Sequence, residues 1–366
     1  MTDDRFKLTE EIISTADEGM KKLIDKNFKL DFYELASFEF PLDEPFGLQV
    51  FHKNTIYCFT IRFSSKNKNL ICAGPGAHQR DTIRNNELLK PPFFDRWSWY
   101  KHFKESFIAY ADPMLFYDED LRIAWFIGNK RDWYLKDLAA IIEELAKNQK
   151  IINDNILFYG SSGGGFTSVV LATLIRNSHV LINNPQLFIL NYWKDILDPL
   201  FDILCESFVG MDRNEIIQKI KHRLDVIEVF KKENYVPFIT YYVNAASEWD
   251  IKCHTMPFLK EIYKLKQFNG LDVIYYREIK EVPHQPMASD KSITTIKEYC
   301  KNYLYNSSPS IAETTNQNIY IEGKYINSLE KRIKKLKKQN KKLKMEYGEL
   351  TNSRSWKLTS PLRKLK

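Results

Sequence analysis

The chain has 366 residues, 44% of them apolar and 14% aromatic, with only 13 Gly and 14 Pro. That supports a full hydrophobic core and excludes disordered, collagen-like and Pro/Gly low-complexity classes. The net charge of +7 is unevenly placed: residues 324–366 hold 15 Lys/Arg against 3 Asp/Glu, while residues 1–323 hold 39 against 44. The basic balance therefore describes an appendage, and the body is mildly acidic.

No window approaches about 18 uninterrupted apolar residues, so no spanning helix is expected. The charged start Met1-Thr2-Asp3-Asp4-Arg5 shows no signal-peptide core. Cys58, Cys72, Cys205, Cys253 and Cys300 are odd in number and widely spaced. They predict buried thiols in a reducing cytoplasm, without a disulfide framework or a metal site.

In chain order, residues 1–31 carry apolar groups at helical spacing, and residues 1–45 read as a helical extension. β-Branched and aromatic runs predict strands at 48–52, 56–61, 69–73, 106–110 and 123–127. Leu135, Leu138, Ile141, Ile142 and Leu145 mark an amphipathic helix. Strands at 156–159, 180–182, 236–243 and 271–276 then alternate with helices at 166–175, 256–266 and 293–305. Residues 187–232 read as a helical cap over a site. Such alternation predicts an α/β architecture, a mostly parallel sheet covered on both faces over 46–305. A polar linker, 306–323, leads to the tail.

The most informative stretch is Ile156-Leu-Phe-Tyr-Gly160-Ser161-Ser162-Gly163-Gly164-Gly165-Phe166. It contains G-x-S-x-G between a predicted strand and a predicted helix, the setting of a nucleophile elbow. A serine on so tight a turn is lifted above the sheet, and the helix amides behind it face developing negative charge. The register selects Ser162, because Ser161 would need glycine where Tyr159 stands. A phosphate-binding loop would need a cation where Phe166 stands, and a dinucleotide fingerprint a third glycine near Ser168.

A serine needs a base, and the base a carboxylate, in the chain order Ser, acid, His. His284, in Glu281-Val-Pro-His284-Gln-Pro, follows the last predicted strand. His222 lies in a charged helical run and reads as a surface residue, and His254 comes too early for the expected order. The acid belongs in Asn244-Ala-Ala-Ser-Glu248-Trp249-Asp250, with Asp250 preferred and Glu248 second. The amide of Gly163 is one expected oxyanion donor. The other comes from Gly74-Pro75-Gly76-Ala77, as Gly76 or Ala77.

The elbow, followed by Leu181-Ile-Asn183-Asn184-Pro185-Gln186, resembles the α/β-hydrolase-type O-acetyltransferases of bacterial capsular polysaccharide over about residues 150–300. The resemblance implies an α/β-hydrolase-like fold with Ser162 as nucleophile, Asp250 as acid and His284 as base. It implies acetyl-CoA as co-substrate and a glycan hydroxyl as acceptor; the donor-binding residues stay unknown. This chain departs from the family in its acid turn, Ser247-Glu248-Trp249-Asp250 in place of an Asp-Asp type. An esterase of the same fold and a non-catalytic adaptor in glycan assembly are the alternatives.

In the tail, Ile326, Leu329, Ile333, Leu336, Asn340, Leu343, Tyr347 and Leu350 alternate spacings of 3 and 4. This is a heptad seam over 324–350, and a lone Asn340 at a core position favours a registered homodimer. A partner helix or anionic lipid at the inner face of the membrane competes for so basic a surface. Residues 351–366, with Trp356 and Leu358 among cations, resemble the ends of surface-glycan glycosyltransferases. No base-reading module accompanies the charge, so no nucleic-acid partner is expected.

Overall fold

The computed structural model describes residues 6–80, 83–84, 87–265, 269–305, 331–332, 334–335, 337–347 and 349. The chain divides into two units, Met1–Ala312 and Glu313–Lys366.

In the first unit, helix α1 (Glu10–Leu23) precedes strands β1 (Asn27–Asp31), β2 (Phe46–His52), β3 (Thr55–Arg62) and β4 (Leu70–Ala73). A two-stranded ribbon, β5 (Ile83–Arg84) and β6 (Glu87–Leu88), leads to β7 (Ser106–Tyr110) and α2 (Tyr134–Asn148). Then come β8 (Ile156–Ser162), α3 (Gly163–Leu174), β9 (His179–Pro185), α4 (Lys194–Ser207), α5 (Arg213–Lys219), α6 (Lys221–Leu224) and α7 (Val226–Glu233). The unit closes with β10 (Phe238–Asn244), α8 (Glu248–Asp250), α9 (Met256–Ile262), β11 (Gly270–Tyr276) and α10 (Ser289–Tyr299).

Nine strands form one sheet in the order β1-β2-β3-β7-β4-β8-β9-β10-β11. β7 through β11 in that order run parallel, and β3 is antiparallel to both its neighbours. After β3 the chain skips a place to β4, returns to fill it with β7, and then crosses to β8 on the far side. The order thus reverses around β4 and β8, and open α/β sheets bind ligands at the carboxyl ends of strands at such a reversal.

Side-chain alternation fixes the layers. Leu157 and Tyr159 of β8 meet Ile296 and Tyr299 of α10 in one core cluster. Gly160 points to the opposite face, where a Cβ would come within 2.0 Å of the Gly164 carbonyl oxygen. Helix α3 therefore lies on that face, and it is buried on all sides from Gly163 to Thr173.

Two secondary-structure expectations fail. Asn27–Asp31 is not helix but edge strand, paired in parallel with Gly47–Phe51. The run alternates polar and apolar with period 2, burying Leu30 and leaving Lys29 and Asp31 exposed. Ile123–Ile127 is not a strand. Trp125 and Phe126 both have positive φ, 49° and 54°, and the Asp112 carboxylate accepts the Phe126 amide at 2.8 Å. A short buried apolar run reads the same in a strand or in a packed turn. The cysteines are all unpaired, with Cys58, Cys72 and Cys300 buried as expected, but Cys253 is half-buried and Cys205 exposed.

In the second unit, residues 331–347 contain helix, with Asn340, Leu343 and Tyr347 exposed. The remaining seam positions, together with Trp356 and Leu358, lie outside the described residues. Among the described residues, no helix is long and apolar enough to cross a membrane.

Candidate active site

β8 ends at Ser162 and α3 begins at Gly163, with no residue between them. So abrupt a change of direction forces Ser162 to φ 54° and ψ −126°, a conformation costly for a residue with a Cβ. The flanking glycines are a steric requirement: a Cβ on Gly165 would fall 2.5 Å from Pro185 Cβ.

The loop after β11 brings His284 over this turn. His284 Nε2 lies 2.8 Å from Ser162 Oγ, and His284 Nδ1 lies 2.6 Å from Asp250 Oδ1. Asp250 is fully buried, and the Ser247 hydroxyl donates to its second oxygen at 2.5 Å. With Nδ1–H donated to Asp250, Nε2 is left to accept the serine proton. The rival Glu248 points into solvent and pairs with Lys252.

The other two candidate histidines fall elsewhere. His254 is buried beside Trp249, where its Nδ1 accepts the Phe188 amide at 3.4 Å. Burial, helped by the nearby His284, pushes its pKa down to about 3, so it stays neutral. His222 is half-buried and not the surface residue expected. Its ring meets Trp133 edge-on, and burial lowers its pKa to about 4.

The Asn-Asn-Pro-Gln segment that stands out in the sequence is the scaffold of this arrangement. Asn183 Oδ1 accepts the Met287 amide at 2.8 Å, just beyond His284. Asn184 Oδ1 accepts the Asn244 amide at 2.8 Å. The Gln186 amide donates to the Ser162 carbonyl at 3.0 Å, and Trp125 Nε1 donates to Gln186 Oε1 at 2.9 Å. Asn244 completes the ring: its side chain donates to the Pro283 carbonyl at 3.2 Å and the Glu278 carbonyl at 2.9 Å, just before His284. The histidine loop is thus held on both sides by buried amides from neighbouring strand ends.

Gly163 supplies the first amide of α3 and lines a small pocket with Pro75, Gly76, Ile123, Trp125 and Thr167. The second donor is less simple than the sequence implied. The Gly76 amide already donates to Asp95 Oδ2 at 2.6 Å, and Ala77 is exposed. Sequence reasoning also missed Arg96. Its guanidinium donates to the Gly74 carbonyl at 3.1 Å and to Ser161 Oγ at 2.5 Å, while packing against the rings of Trp99 and Tyr159. Asp95 and Arg96 thereby fasten the Gly-Pro-Gly loop to the elbow from adjacent positions. Only the strand-end glycines signalled that loop, and nothing local signalled its clamp.

No protein-family model matches the chain, and no curated protein matches it in sequence. Among solved structures, the capsule O-acetyltransferase of Neisseria meningitidis serogroup A superposes with a TM-score of 0.51 at 16% identity, covering 75% of this chain and 99% of that one. The same enzyme in complex with caged gadolinium gives 0.51 at 17% identity, with the same coverage. The chain has an α/β-hydrolase-like fold. An esterase of the bacterial hormone-sensitive lipase family follows at a TM-score of 0.43 and 10% identity, over 75% of this chain and 89% of that one. The polypeptide scaffold is therefore one that also occurs in a capsule O-acetyltransferase.

Proposed function

We propose that the protein is a serine-dependent acyltransferase that moves acetyl from acetyl-CoA to a sugar hydroxyl of a bacterial surface polysaccharide. The observation that carries this reading is the hydrogen-bonded series Ser162, His284, Asp250 at 2.8 and 2.6 Å on a strained strand-to-helix turn. The capsule O-acetyltransferase that shares the fold supports the acyl group and the acceptor class.

In this reading His284 Nε2 takes the Ser162 proton as Oγ attacks the thioester carbon. The C–S bond breaks, and the CoA sulfur leaves with the proton from His284. The acetyl-serine then meets a sugar hydroxyl, which gives its proton to the same Nε2 as its oxygen attacks. The Ser162 ester bond breaks, and the proton returns to Oγ. Asp250 holds the imidazole in the required tautomer and offsets the charge it gains. The Gly163 amide faces the carbonyl oxygen in both halves; the second donor, Gly76 or Ala77, engages once Asp95 yields or the loop shifts. No metal is required.

Exposure to acetyl-CoA followed by intact-mass measurement tests the first half. An acetyl adduct on the native chain and none on Ser162→Ala is expected; no adduct on either overturns covalent chemistry and returns the chain to an adaptor role. Adding a glycan tests the second half: acetylated glycan is expected, whereas free acetate at an unchanged rate makes the enzyme an esterase. Five unpaired cysteines and a CoA donor fit a reducing cytoplasm. The basic tail fits either self-association or attachment to anionic lipid.

A further inference from the structure

His284 turns its two nitrogens to Ser162 and Asp250, and three aromatic rings stand around it. Trp249 meets it edge-on at 5.8 Å between centroids, and Tyr192 and Trp193 each stand 6.3 Å away. The three rings also pack on one another. Tyr192 and Trp193 are 4.8 Å apart and tilted by 31°, and Trp193 and Trp249 are 5.4 Å apart and tilted by 37°. Yet Trp193 remains 45% exposed at the start of α4, in the segment expected to cap the site. An indole kept half in water beside this imidazole, and packed on two further rings, forms a contiguous aromatic surface that a ligand can contact.

We propose that Trp193, backed by Tyr192 and Trp249, is a stacking platform for a pyranose ring of the acceptor. This deepens the reading above and rests on it. Three observations select a sugar ring. The transfer half of the reaction needs a hydroxyl delivered to His284 Nε2, so the acceptor must rest on whatever borders that imidazole. The cations on these two segments, Lys194 and Lys252, are exposed and lie beside Asp198 and Glu248, so neither is held against the platform as a fixed clamp for the phosphates of a nucleotide donor. A separate pocket beside Gly163, Ile123 and Trp125, with room for about one water or one methyl group, can take the end of a small acyl group. A pyranose matches what remains: its C–H face is flat and apolar, its rim carries hydroxyls, and an indole offers a broad apolar surface with an electron-rich face.

The test uses the full chain, p-nitrophenyl acetate as acyl donor and two hydroxyl acceptors at equal concentration. These are methyl α-D-glucopyranoside, which is cyclic, and sorbitol, which is not. The p-nitrophenol burst counts active sites in each protein, and the later steady rate reports how fast an acceptor resolves the acetyl-serine. The native chain is expected to prefer the pyranoside. In Trp193→Ala that preference, expressed per active site, falls about tenfold. Trp193→Phe restores most of it, and Tyr33→Ala, at a remote exposed aromatic, leaves it in place. A preference equal in native and Trp193→Ala proteins overturns the platform. So does a native enzyme with a burst but no acceleration by the pyranoside, which keeps Ser162 chemistry and makes the enzyme a hydrolase. Absence of any burst in the native chain overturns the proposed function and the platform with it.

Discussion

Two buried residues near the site titrate in opposite senses. Burial and the neighbouring His284 push the His254 imidazole from its ordinary 6.5 to about 3. As pH falls below 6.5 the unfolded chain takes up a proton that the folded chain refuses, so the native state loses stability down to about pH 3. Asp112 behaves in reverse. Burial raises its carboxyl from 3.8 to about 7, against the opposing amides of Phe126, Met114 and Ala124. As pH rises past 3.8 the unfolded chain releases a proton that the folded chain keeps, so the native state loses stability up to about pH 7. The windows overlap between about pH 4 and 6.5, where the two effects offset each other. Removing one exposes the other. Relative to the native chain, His254→Gln should show Tm falling more steeply as pH rises through this window, and Asp112→Asn should show it falling more steeply as pH drops. Thermal melts at several pH values check both, and parallel Tm curves for the three proteins would refute the assignment.

Elements carry the next level of argument, because the site is built where strand ends meet. The loop after β4 contributes Gly74 and Gly76, β8 contributes Ser161 and Ser162, and the segment between β6 and β7 contributes Asp95 and Arg96. Arg96 ties the β4 loop to the β8 turn with two hydrogen bonds from one rigid fork, which a lysine cannot reproduce. In Arg96→Lys the loop should drift from the elbow, and displacements of about 1 Å cost up to about a hundredfold in rate. The expected outcome is a ten- to hundredfold slower p-nitrophenol burst (about 1.4 kcal/mol for each factor of ten), with Tm lowered by only a few degrees. A large fall in Tm with an unchanged burst rate would instead make Arg96 a folding residue. The same elements show what the sequence discloses. Ser162 was legible because the elbow is local: five consecutive residues carry the steric demand. His284 and Asp250 were legible because chain order constrains them once the serine is fixed. Arg96 was not, and the Asn183 segment stood out without its role being readable, as did Asn244, because each acts on atoms tens of residues away and a lone Arg or Asn has many local uses. Ile123–Ile127 misled for a related reason: the Asp112 carboxylate decides its backbone, and that residue belongs to a separate 3₁₀ turn cap.

At the scale of the whole molecule, an acidic body is joined to a strongly basic tail. Of the predicted seam, Asn340, Leu343 and Tyr347 lie in helix and are exposed, with Leu343 63% and Tyr347 65% accessible. Leu343, a large apolar side chain in water at a seam position, gains roughly 25 cal/mol for each Å² that a second helix would cover. The flanking lysines oppose pairing of two such helices. Salt decides between the two uses of the tail, because it acts on them with opposite sign. Like-charge repulsion between two tails is screened as the Debye length falls from about 14 Å at 0.05 M salt to about 4 Å at 0.5 M, so a homodimer tightens. Attraction of a basic helix to anionic lipid is screened by the same ions, so membrane attachment weakens. Sedimentation of the full chain and of a 1–318 truncation at both salt concentrations should give a dimer fraction that rises with salt only when the tail is present. Equal mass per particle for both proteins at both concentrations would remove the coiled-coil dimer. If the full chain then co-floated with phosphatidylserine vesicles at low salt and came off at high salt, the tail would be a lipid anchor, and the apolar seam would be its buried face.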